Sequence, residues 1–193
     1  MNILLADDHV IIMDGLRLLI NSILPNASVC QVKDADALIA HLRHTETELV
    51  VCDINMPGGN HPGIVNMIKS IQPKTKLLML SGFDPGLYAN RYLQAGADAY
   101  LNKNSNTLEI GNVILALLEG KEQEKFADYN VSPLQLLSNR ELEVAQLLID
   151  GNGILEIANL LKLHVNTIST YKARIFEKTN IASIPELVAL FQN

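Results

Sequence analysis

Short apolar runs recur along the first part of the chain, and amphipathic stretches separate them. These stretches repeat apolar residues at three- and four-residue spacing, as amphipathic helices do. Near-continuous apolar runs that alternate with helices favour parallel strands, because parallel strands need long crossover connections and are covered on both faces. The sequence therefore predicts a doubly wound α/β fold with a five-strand parallel sheet. The runs are NILLA (2–6), SVCQV (28–32), LVVC (49–52), KLLML (76–80) and AYL (99–101).

A change of pattern after residue 119 predicts a second domain. Residues 120–137 begin with Gly120 and a mixed charge run and later contain Pro133. This composition is typical of a linker rather than of a strand or a core helix. Because all later patterns are helical, we expect an α/β domain at 1–119, a linker at 120–137 and a small all-α domain at 138–193.

The predicted helices of the second domain carry start and stop signals. SNRE (138–141) is a capping-box pattern, and Gly151 and Gly153 end the helix that it begins. SIPE (183–186) repeats the Ser and Glu spacing and begins a last helix. The expected helices run from 138 to about 150, from 154 to 162, from 165 to 179 and onward from 183.

Composition and charge narrow the class of protein. With 193 residues, 48% of them apolar, and a net charge of −6, the chain is no polycation, so any contact with nucleic acid must be local. No apolar run approaches the roughly 18 residues that a membrane span needs, and the N-terminal segment has acids where a signal peptide would stay apolar. We expect a cytoplasmic protein with no membrane partner. Cys30 and Cys52 lack metal or disulfide spacing and are interpreted as reduced core residues.

Chemically active side chains follow the ends of four predicted strands. The carboxyl ends of parallel strands meet at one crevice, where such folds bind ligands. Three carboxylates in one crevice repel one another unless a cation is present, and Mg²⁺ suits their oxygens. An Asp can also act as a nucleophile toward phosphorus, while a hydroxyl and an ammonium group bind phosphoryl oxygens. The residues concerned are Asp7, Asp8, Asp53, Ser81 and Lys103.

Residues 1–119 resemble the receiver domains of two-component response regulators. The matching segments are ADDH (6–9), CDINMP (52–57), SG (81–82) and AYLNK (99–103).

The resemblance implies a role for each matching residue. Asp53 would accept a phosphoryl group from a sensor histidine kinase, and Ser81 and Lys103 would sense that group. Tyr100 would be the aromatic residue that changes rotamer. Mg²⁺ would be bound by Asp7, Asp8, Asp53 and the main-chain carbonyl of Asn55.

One loop departs from the receiver pattern. The expected glycine eight residues after Asp53 occurs ten residues after it, at Gly63. We interpret this as about two extra residues beside the predicted pocket. His61 in this loop is either an accessory group or a solvated side chain, and the loop leaves the shape of the pocket rim and the dephosphorylation rate open.

Residues 138–179 resemble the LuxR-type helix-turn-helix of the NarL/FixJ family of regulators. The matching segments are LSNRELEVAQLLIDG (137–151), EIANLLKL (156–163) and NTISTYKARIFEKT (166–179). The string TISTYKARI most resembles the BvgA and EvgA subgroup. The resemblance implies that the third helix of this domain lies in the major groove of double-stranded DNA.

Periodicity divides that helix into two faces. Ile168, Tyr171, Ile175 and Phe176 recur at helical spacing and are expected to face the core or its edge. Short polar and methyl groups fall on the other face, where they suit base edges, and cations beside them suit phosphates. The predicted DNA contacts are Asn166, Thr167, Ser169, Thr170, Lys172, Ala173, Arg174 and Lys178.

This helix carries less positive charge than the family pattern. His164 replaces a capping Ser of the family pattern, Ser169 replaces a basic residue and Tyr171 replaces a His. Within 162–178 four cations oppose one acid, a local charge of +3. So few phosphate contacts would give weak binding by one copy, and we therefore expect a homodimer.

These patterns together predict a phosphorylation-controlled transcriptional regulator, which acts as an enzyme only on its own phosphoryl group. Two alternatives remain open at this point. The first is a Mg²⁺-dependent phosphohydrolase with Asp53 as nucleophile, although position 55 is Asn where a second Asp would be expected. The second is an adaptor whose helical domain binds protein and is independent of phosphorylation.

Overall fold

The computed structural model describes residues 1–59, 61–121 and 133–192. The chain divides into two compact units, Met1–Ala127 and Asp128–Asn193. Most of the predicted linker lies outside the described residues, and only its two ends are described. Among the described helices, none has the length and apolar character needed to cross a bilayer.

The first unit is built on a five-stranded parallel sheet with strand order β2-β1-β3-β4-β5, which confirms the predicted doubly wound α/β fold. The residue pairs Ala6–Cys52, Cys52–Met79 and Ser81–Asn102 are partners in the register of neighbouring strands. The ends of β1, β3, β4 and β5 therefore lie at the same edge of the sheet. The strands are β1 (Asn2–Ala6), β2 (Ser28–Val32), β3 (Leu49–Cys52), β4 (Lys76–Ser81) and β5 (Ala99–Asn102).

In the described part of the first unit, five helices connect or follow the strands. Asp34, Asp84 and Asn106 begin three of them with side chains that accept a hydrogen bond from a backbone N–H of the first turn, which satisfies donors that the helix leaves free. The helices are α1 (Val10–Ile23), α2 (Ala35–His44), α3 (Gly63–Ile71), α4 (Pro85–Gln94) and α5 (Thr107–Leu118).

The prediction for Cys30 is wrong, whereas Cys52 is buried as expected. Both are free cysteines, but the Cys30 side chain is exposed. It lies on β2, which is an edge strand that pairs with β1. Ser28 and Cys30 are exposed on this strand while its other residues are half-buried. An edge strand lacks a neighbour on one side, so its apolar run does not imply burial on both faces.

The second unit is helical throughout its described residues. Ser138 and Glu141 form the predicted capping box, and α8 packs against α6 and α7. Lys162 ends α7 in the left-handed conformation, with φ of 54°, and so turns the chain into α8. The elements are a 3₁₀ helix (Pro133–Leu136), α6 (Asn139–Ile149), α7 (Ile154–Leu161), α8 (Val165–Thr179) and α9 (Ile184–Gln192).

Candidate functional site

The acids at the strand ends form one cluster in the first unit. Ligand atoms of Asp7, Asp8, His9 and Asp53 all lie within 4.8 Å of one another. The backbone fixes this arrangement, because the Asp53 N–H donates to the carbonyl of Ala6 at 2.8 Å, and the Asp7 N–H extends the β1–β2 ladder. The sheet therefore brings together residues that are 46 positions apart in the sequence.

Asp53 is the most deeply buried acid of the cluster. Its side chain is 1% exposed, and within the described part of the chain neither of its carboxylate oxygens has a hydrogen bond of ordinary geometry. Burial raises the pKa of the Asp53 carboxyl group above its ordinary value, and the Asp7 carboxylate raises it further. The ammonium group of Lys103 and the backbone amide of Asn55 offset only part of this rise.

Lys103 supplies a positive charge to two of the acids. Its Nζ lies 2.7 Å from Asp7 Oδ2 and 3.0 Å from Asp53 Oδ2, and its side chain is 11% exposed. The Lys103 N–H also donates to the carbonyl of Ser81 at 2.7 Å, which ties the end of β5 to the end of β4. The predicted pocket residues Asp7, Asp53, Ser81 and Lys103 thus lie at one edge of the sheet.

The donor set fits a hard divalent cation. Among the described residues, Asp53 Oδ1 has no hydrogen-bond partner and Oδ2 has only the Lys103 ammonium at 3.0 Å, so the buried carboxylate has room for a further positive partner. Asp7 is buried, whereas Asp8 is partly exposed beside it. Carboxylate oxygens with access to water are the ligands that Mg²⁺ prefers.

His9 belongs to the cluster, although the sequence patterns assigned it no role. Its Nδ1 lies 2.8 Å from Asp7 Oδ1 and 2.9 Å from Asp8 Oδ1. Its backbone N–H donates to Asp7 Oδ1 at 2.8 Å. The position of His9 directly after the acid pair was the one signal in the sequence that pointed to it.

Ser81 and Tyr100 are joined through the backbone of Phe83. The Phe83 N–H donates to Ser81 Oγ at 3.1 Å, and the hydroxyl of Tyr100 donates to the Phe83 carbonyl at 3.3 Å. Asn102 donates to the same carbonyl at 3.0 Å. Tyr100 is fully buried, and burial raises the pKa of its hydroxyl. Ser81 and Tyr100 are therefore connected through a single residue, Phe83.

The loop after Asp53 is closed by tight turns. The Gly59 N–H donates to the Met56 carbonyl at 3.0 Å, and the Ile64 N–H donates to the His61 carbonyl at 3.1 Å. His61 is exposed, and a Cβ on Gly63 would lie 2.7 Å from its Nδ1. Glycine at this position therefore leaves room for the His61 ring at the start of α3. An accessory role for His61 stays a prediction.

The recognition-helix candidate, α8, has the two faces that periodicity predicts. Ile168 and Ile175 are fully buried, and Tyr171 and Phe176 are half-buried. Thr167 and Lys172 are half-buried at the edge. The other predicted DNA contacts are all exposed, namely Asn166, Ser169, Thr170, Ala173, Arg174 and Lys178.

Two hydroxyl groups on the exposed face of α8 donate to their own helix. Ser169 Oγ donates to the Val165 carbonyl at 3.1 Å, and Thr170 Oγ1 donates to the Asn166 carbonyl at 2.9 Å. Their oxygens remain able to accept, and the Thr170 methyl group can contact a thymine methyl. Thr170 also borders a shallow depression with Asn166, Thr167, Tyr171 and Arg174.

The cations of α8 are not equally available to an anion. Lys178 Nζ lies 2.7 Å from Glu141 Oε2, and the Glu141 side chain is 3% exposed. Lys172 Nζ lies 5.5 Å from the centre of the Phe176 ring, in a cation–π contact. The predicted local charge of +3 therefore includes one cation that an acid from α6 neutralises, a long-range pair that helix periodicity does not reveal.

The start of α8 also reflects its departure from the family pattern. His164 occupies the N-cap position, and its side chain makes no capping hydrogen bond. A Ser at this position would accept a hydrogen bond from the first turn, so the helix begins without that contribution.

Comparisons with known proteins match both units. The sequence matches the family described as response regulator receiver domain over residues 3–115, and the family described as bacterial regulatory proteins of the luxR family over residues 135–191. It is 32% identical to the Fimbriae Z protein of Salmonella typhimurium over 197 residues, which cover 97% of this chain and 94% of that protein. It is 30% identical over 202 residues to BvgA of Bordetella pertussis, covering 97% of this chain and 95% of BvgA.

A solved structure supports the fold of the whole chain. RcsB from Salmonella enterica serovar Typhimurium, bound to the promoter rprA in the presence of the phosphomimetic BeF3⁻, has a TM-score of 0.69 to this structure. The sequences are 24% identical, and the match covers 100% of this chain and 99% of that chain.

Proposed function

The chain belongs to the response regulators that combine a receiver domain with a LuxR-type helix-turn-helix domain, and from this premise we propose that phosphorylation of Asp53 controls its binding to DNA. The observation that carries the proposal is the Asp53 carboxylate, which is buried directly after β3, lies 3.0 Å from the Lys103 ammonium and has no other partner for its oxygens among the described residues. Family membership favours this regulator over a phosphohydrolase or a protein-binding adaptor.

In the proposed reaction, a sensor histidine kinase donates the phosphoryl group. An Asp53 carboxylate oxygen attacks phosphorus, the new O–P bond forms, and the N–P bond to the kinase histidine breaks. Burial removes most of the water from around the ionised carboxylate, which strengthens it as a nucleophile. The Lys103 ammonium and the Ser81 hydroxyl then bind the phosphoryl oxygens. Later hydrolysis, assisted by the same pocket, resets the signal.

The acid cluster is the proposed Mg²⁺ site. Asp7, Asp8, Asp53 and the main-chain carbonyl of Asn55 would hold the ion, which would neutralise charge on the phosphoryl oxygens. Without it, three acidic side chains meet the incoming anion with one lysine among them, and repulsion would oppose the reaction. Phosphorylation is therefore expected to depend on the divalent cation.

The proposed switch runs from Ser81 to Tyr100. A phosphoryl oxygen that draws the Ser81 hydroxyl toward it competes with the hydrogen bond from the Phe83 N–H. Movement of Phe83 would shift its carbonyl and change the contact of that carbonyl with Tyr100. These movements would shift the equilibrium between two conformations of the segment between Ser81 and Tyr100. The surface near this segment would then control dimerisation of the regulator.

The proposed output is DNA binding by two copies of the second unit. The exposed face of α8 would read base edges while Lys172 and Arg174 contact phosphates. One copy offers few free cations, so a homodimer on two half-sites is needed for useful affinity. The reported complex of RcsB with a promoter in the presence of a phosphomimetic supports this reading by likeness of fold. Because its proposed partners are DNA and a sensor kinase, we expect the protein to act in the cytoplasm.

The test combines phosphorylation with assembly. Purified full-length protein is treated with a small phosphodonor and Mg²⁺, and intact mass and sedimentation are followed together. We expect the mass of one phosphoryl group and a shift from monomer to dimer. Asp53→Asn should show neither change, and Asp8→Asn should reduce the mass gain by weakening the cation site. Undiminished labelling of Asp53→Asn would refute the assignment.

A further inference from the structure

His9 places a ring nitrogen against two acids of the proposed cation site. Its Nδ1 lies 2.8 Å from Asp7 Oδ1 and 2.9 Å from Asp8 Oδ1. The backbone holds this ring at the mouth of the cluster, because the His9 carbonyl accepts the first hydrogen bonds of α1, from the N–H groups of Ile12 and Met13. With 57% of its side chain exposed, the ring can adjust without disturbing the core.

The distances around His9 match those between ligands of one metal ion. In an octahedral site with bonds of about 2.1 Å, adjacent ligand atoms are about 3.0 Å apart and opposite ones about 4.2 Å. The 2.8 Å contact with Asp7 is a hydrogen bond in this structure, and both distances from His9 Nδ1 are also close to those of adjacent ligands. The ligand atoms of Asp7, Asp8, His9 and Asp53 lie within 4.8 Å of one another. Movements of roughly half an ångström would therefore bring them to the distances of an octahedral site.

An independent feature indicates that this cluster binds a cation. Among the described residues, Asp53 Oδ1 has no hydrogen-bond partner and Oδ2 meets only Lys103 Nζ, at 3.0 Å, while the side chain is 1% exposed. A buried carboxylate oxygen without a partner is rare in folded proteins. A cation held with Asp7 and Asp8 would supply that partner.

We propose that His9 is a side-chain ligand of this cation site and gives it a preference for first-row transition cations over Mg²⁺. The inference rests on the proposed function, because the site is the one at which Asp53 would be phosphorylated. Carboxylate oxygens bind both kinds of cation, whereas an imidazole nitrogen favours the transition cations. His9 therefore determines the metal preference of the site.

Calorimetric titration of the full-length protein with Mg²⁺ and, separately, with Co²⁺ tests this preference. His9→Ala should weaken Co²⁺ binding about 10-fold or more and leave Mg²⁺ binding within about 3-fold. The matched control is His44→Ala, since His44 is exposed in the last turn of α2. This control should change neither affinity.

A second measurement on the unsubstituted protein does not depend on the folding of a variant. Pulsed electron paramagnetic resonance of the Mn²⁺-loaded chain should show modulation from a directly bound imidazole nitrogen. The modulation frequencies should change when the histidines are labelled with ¹⁵N, and the signal should disappear in His9→Ala.

Each outcome decides between the two proposals. Equal weakening of both cations in His9→Ala, an unchanged Co²⁺ affinity or a missing nitrogen signal would overturn the role of His9. If neither cation binds the unsubstituted chain, the cation site fails and the inference fails with it. Intact mass of the unsubstituted chain after phosphodonor treatment in Mg²⁺ tests Asp53 separately from His9.

Discussion

The carboxyl group of Asp53 is buried and lacks a hydrogen bond among the described residues, a combination that costs folding free energy once the group ionises. Burial raises its pKa above the unfolded value of about 4. The contribution of Asp53 to the free energy of unfolding should therefore fall as pH rises above about 4, because Asp53 ionises first in the unfolded chain. The same burial removes water from the ionised carboxylate and strengthens it as a nucleophile toward phosphorus. Folding stability and reactivity therefore oppose each other at Asp53.

Asp53→Asn should therefore stabilise the cation-free protein at neutral pH. We expect a gain on the order of 1 kcal/mol in the free energy of unfolding, because a neutral amide replaces a buried carboxylate that ionises at neutral pH. Thermal unfolding in a chelator across pH 5 to 8 measures it. Excess Mg²⁺ should reduce or reverse the difference, because it binds the native acids of the unsubstituted chain. A less stable variant in chelator at every pH would contradict the raised pKa.

Asp98 shows the opposite electrostatic behaviour. Burial alone would raise its pKa, but hydrogen bonds from Lys69, the Leu77 N–H and Lys76 outweigh burial and lower it. The distances are 2.6 Å from Lys69 Nζ and 2.9 Å from the Leu77 N–H, both to Oδ2. A carboxyl group whose pKa is lowered by folding stabilises the folded state above the unfolded pKa of about 4. This stabilisation is lost as pH falls through the folded pKa.

Asp98→Asn should accordingly destabilise the first unit by about 1 to 3 kcal/mol at pH 7. The loss should shrink as pH falls below about 4 toward the lowered folded pKa, because the unfolded chain binds the proton first. Urea unfolding at both pH values measures the difference. The control is Asp14→Asn, which breaks a surface pair with Arg17 at 3.2 Å and should cost less than about 0.5 kcal/mol. An equal cost for both substitutions would contradict the account.

Single residues also mark the limits of prediction from the sequence. The acids at strand ends were predictable because the ends of apolar runs are visible and parallel topology brings them together. The pairing of Lys178 with Glu141 was not, because it joins α8 to α6 across 37 positions. Cys30 was misjudged because the sequence does not state which strand lies at the edge of the sheet.

At the level of elements, strands and helices were largely predictable. Each predicted strand coincides with an observed one, and KLLML and AYL each extend by one residue, to Ser81 and Asn102. Boundaries are clear because apolar runs end at polar residues that cap or turn. The contacts between elements, such as the Ser81–Phe83–Tyr100 connection, depend on loop conformation and were not predictable from periodicity.

The faces of α8 give a prediction about DNA. Thr170→Ala should change which bases are preferred, at a cost of about 1 to 3 kcal/mol if Thr170 makes a good base contact. Lys172→Ala should weaken binding to all sequences alike and reduce the salt dependence by about one unit of slope. Binding to randomised DNA at several salt concentrations measures both effects.

Lys74→Ala is the control for charge, because Lys74 is an exposed cation of the first unit and should leave the slope unchanged. The opposite pattern, with Lys172→Ala altering the preference at a single base and Thr170→Ala altering nothing, would mean that the wrong face of α8 reads DNA.

At the level of the whole molecule, two units imply a connection that a protease can reach. Limited proteolysis of the full-length chain should cut first within residues 120–137, because the charge run and Pro133 interrupt the core patterns on either side. Mass spectrometry of the first fragments locates the cut. First cuts inside 1–118 or 140–190 would place the boundary elsewhere.

Control of DNA binding by the phosphoryl group on Asp53 is tested most directly by binding isotherms. The full-length protein is titrated onto DNA selected from a random library, at one fixed salt concentration, with and without phosphodonor and Mg²⁺. We expect phosphodonor to tighten binding by the unsubstituted chain and to leave Asp53→Asn unchanged. Identical isotherms for the unsubstituted chain, despite a full phosphoryl mass gain, would contradict the account, as would an equal response of Asp53→Asn.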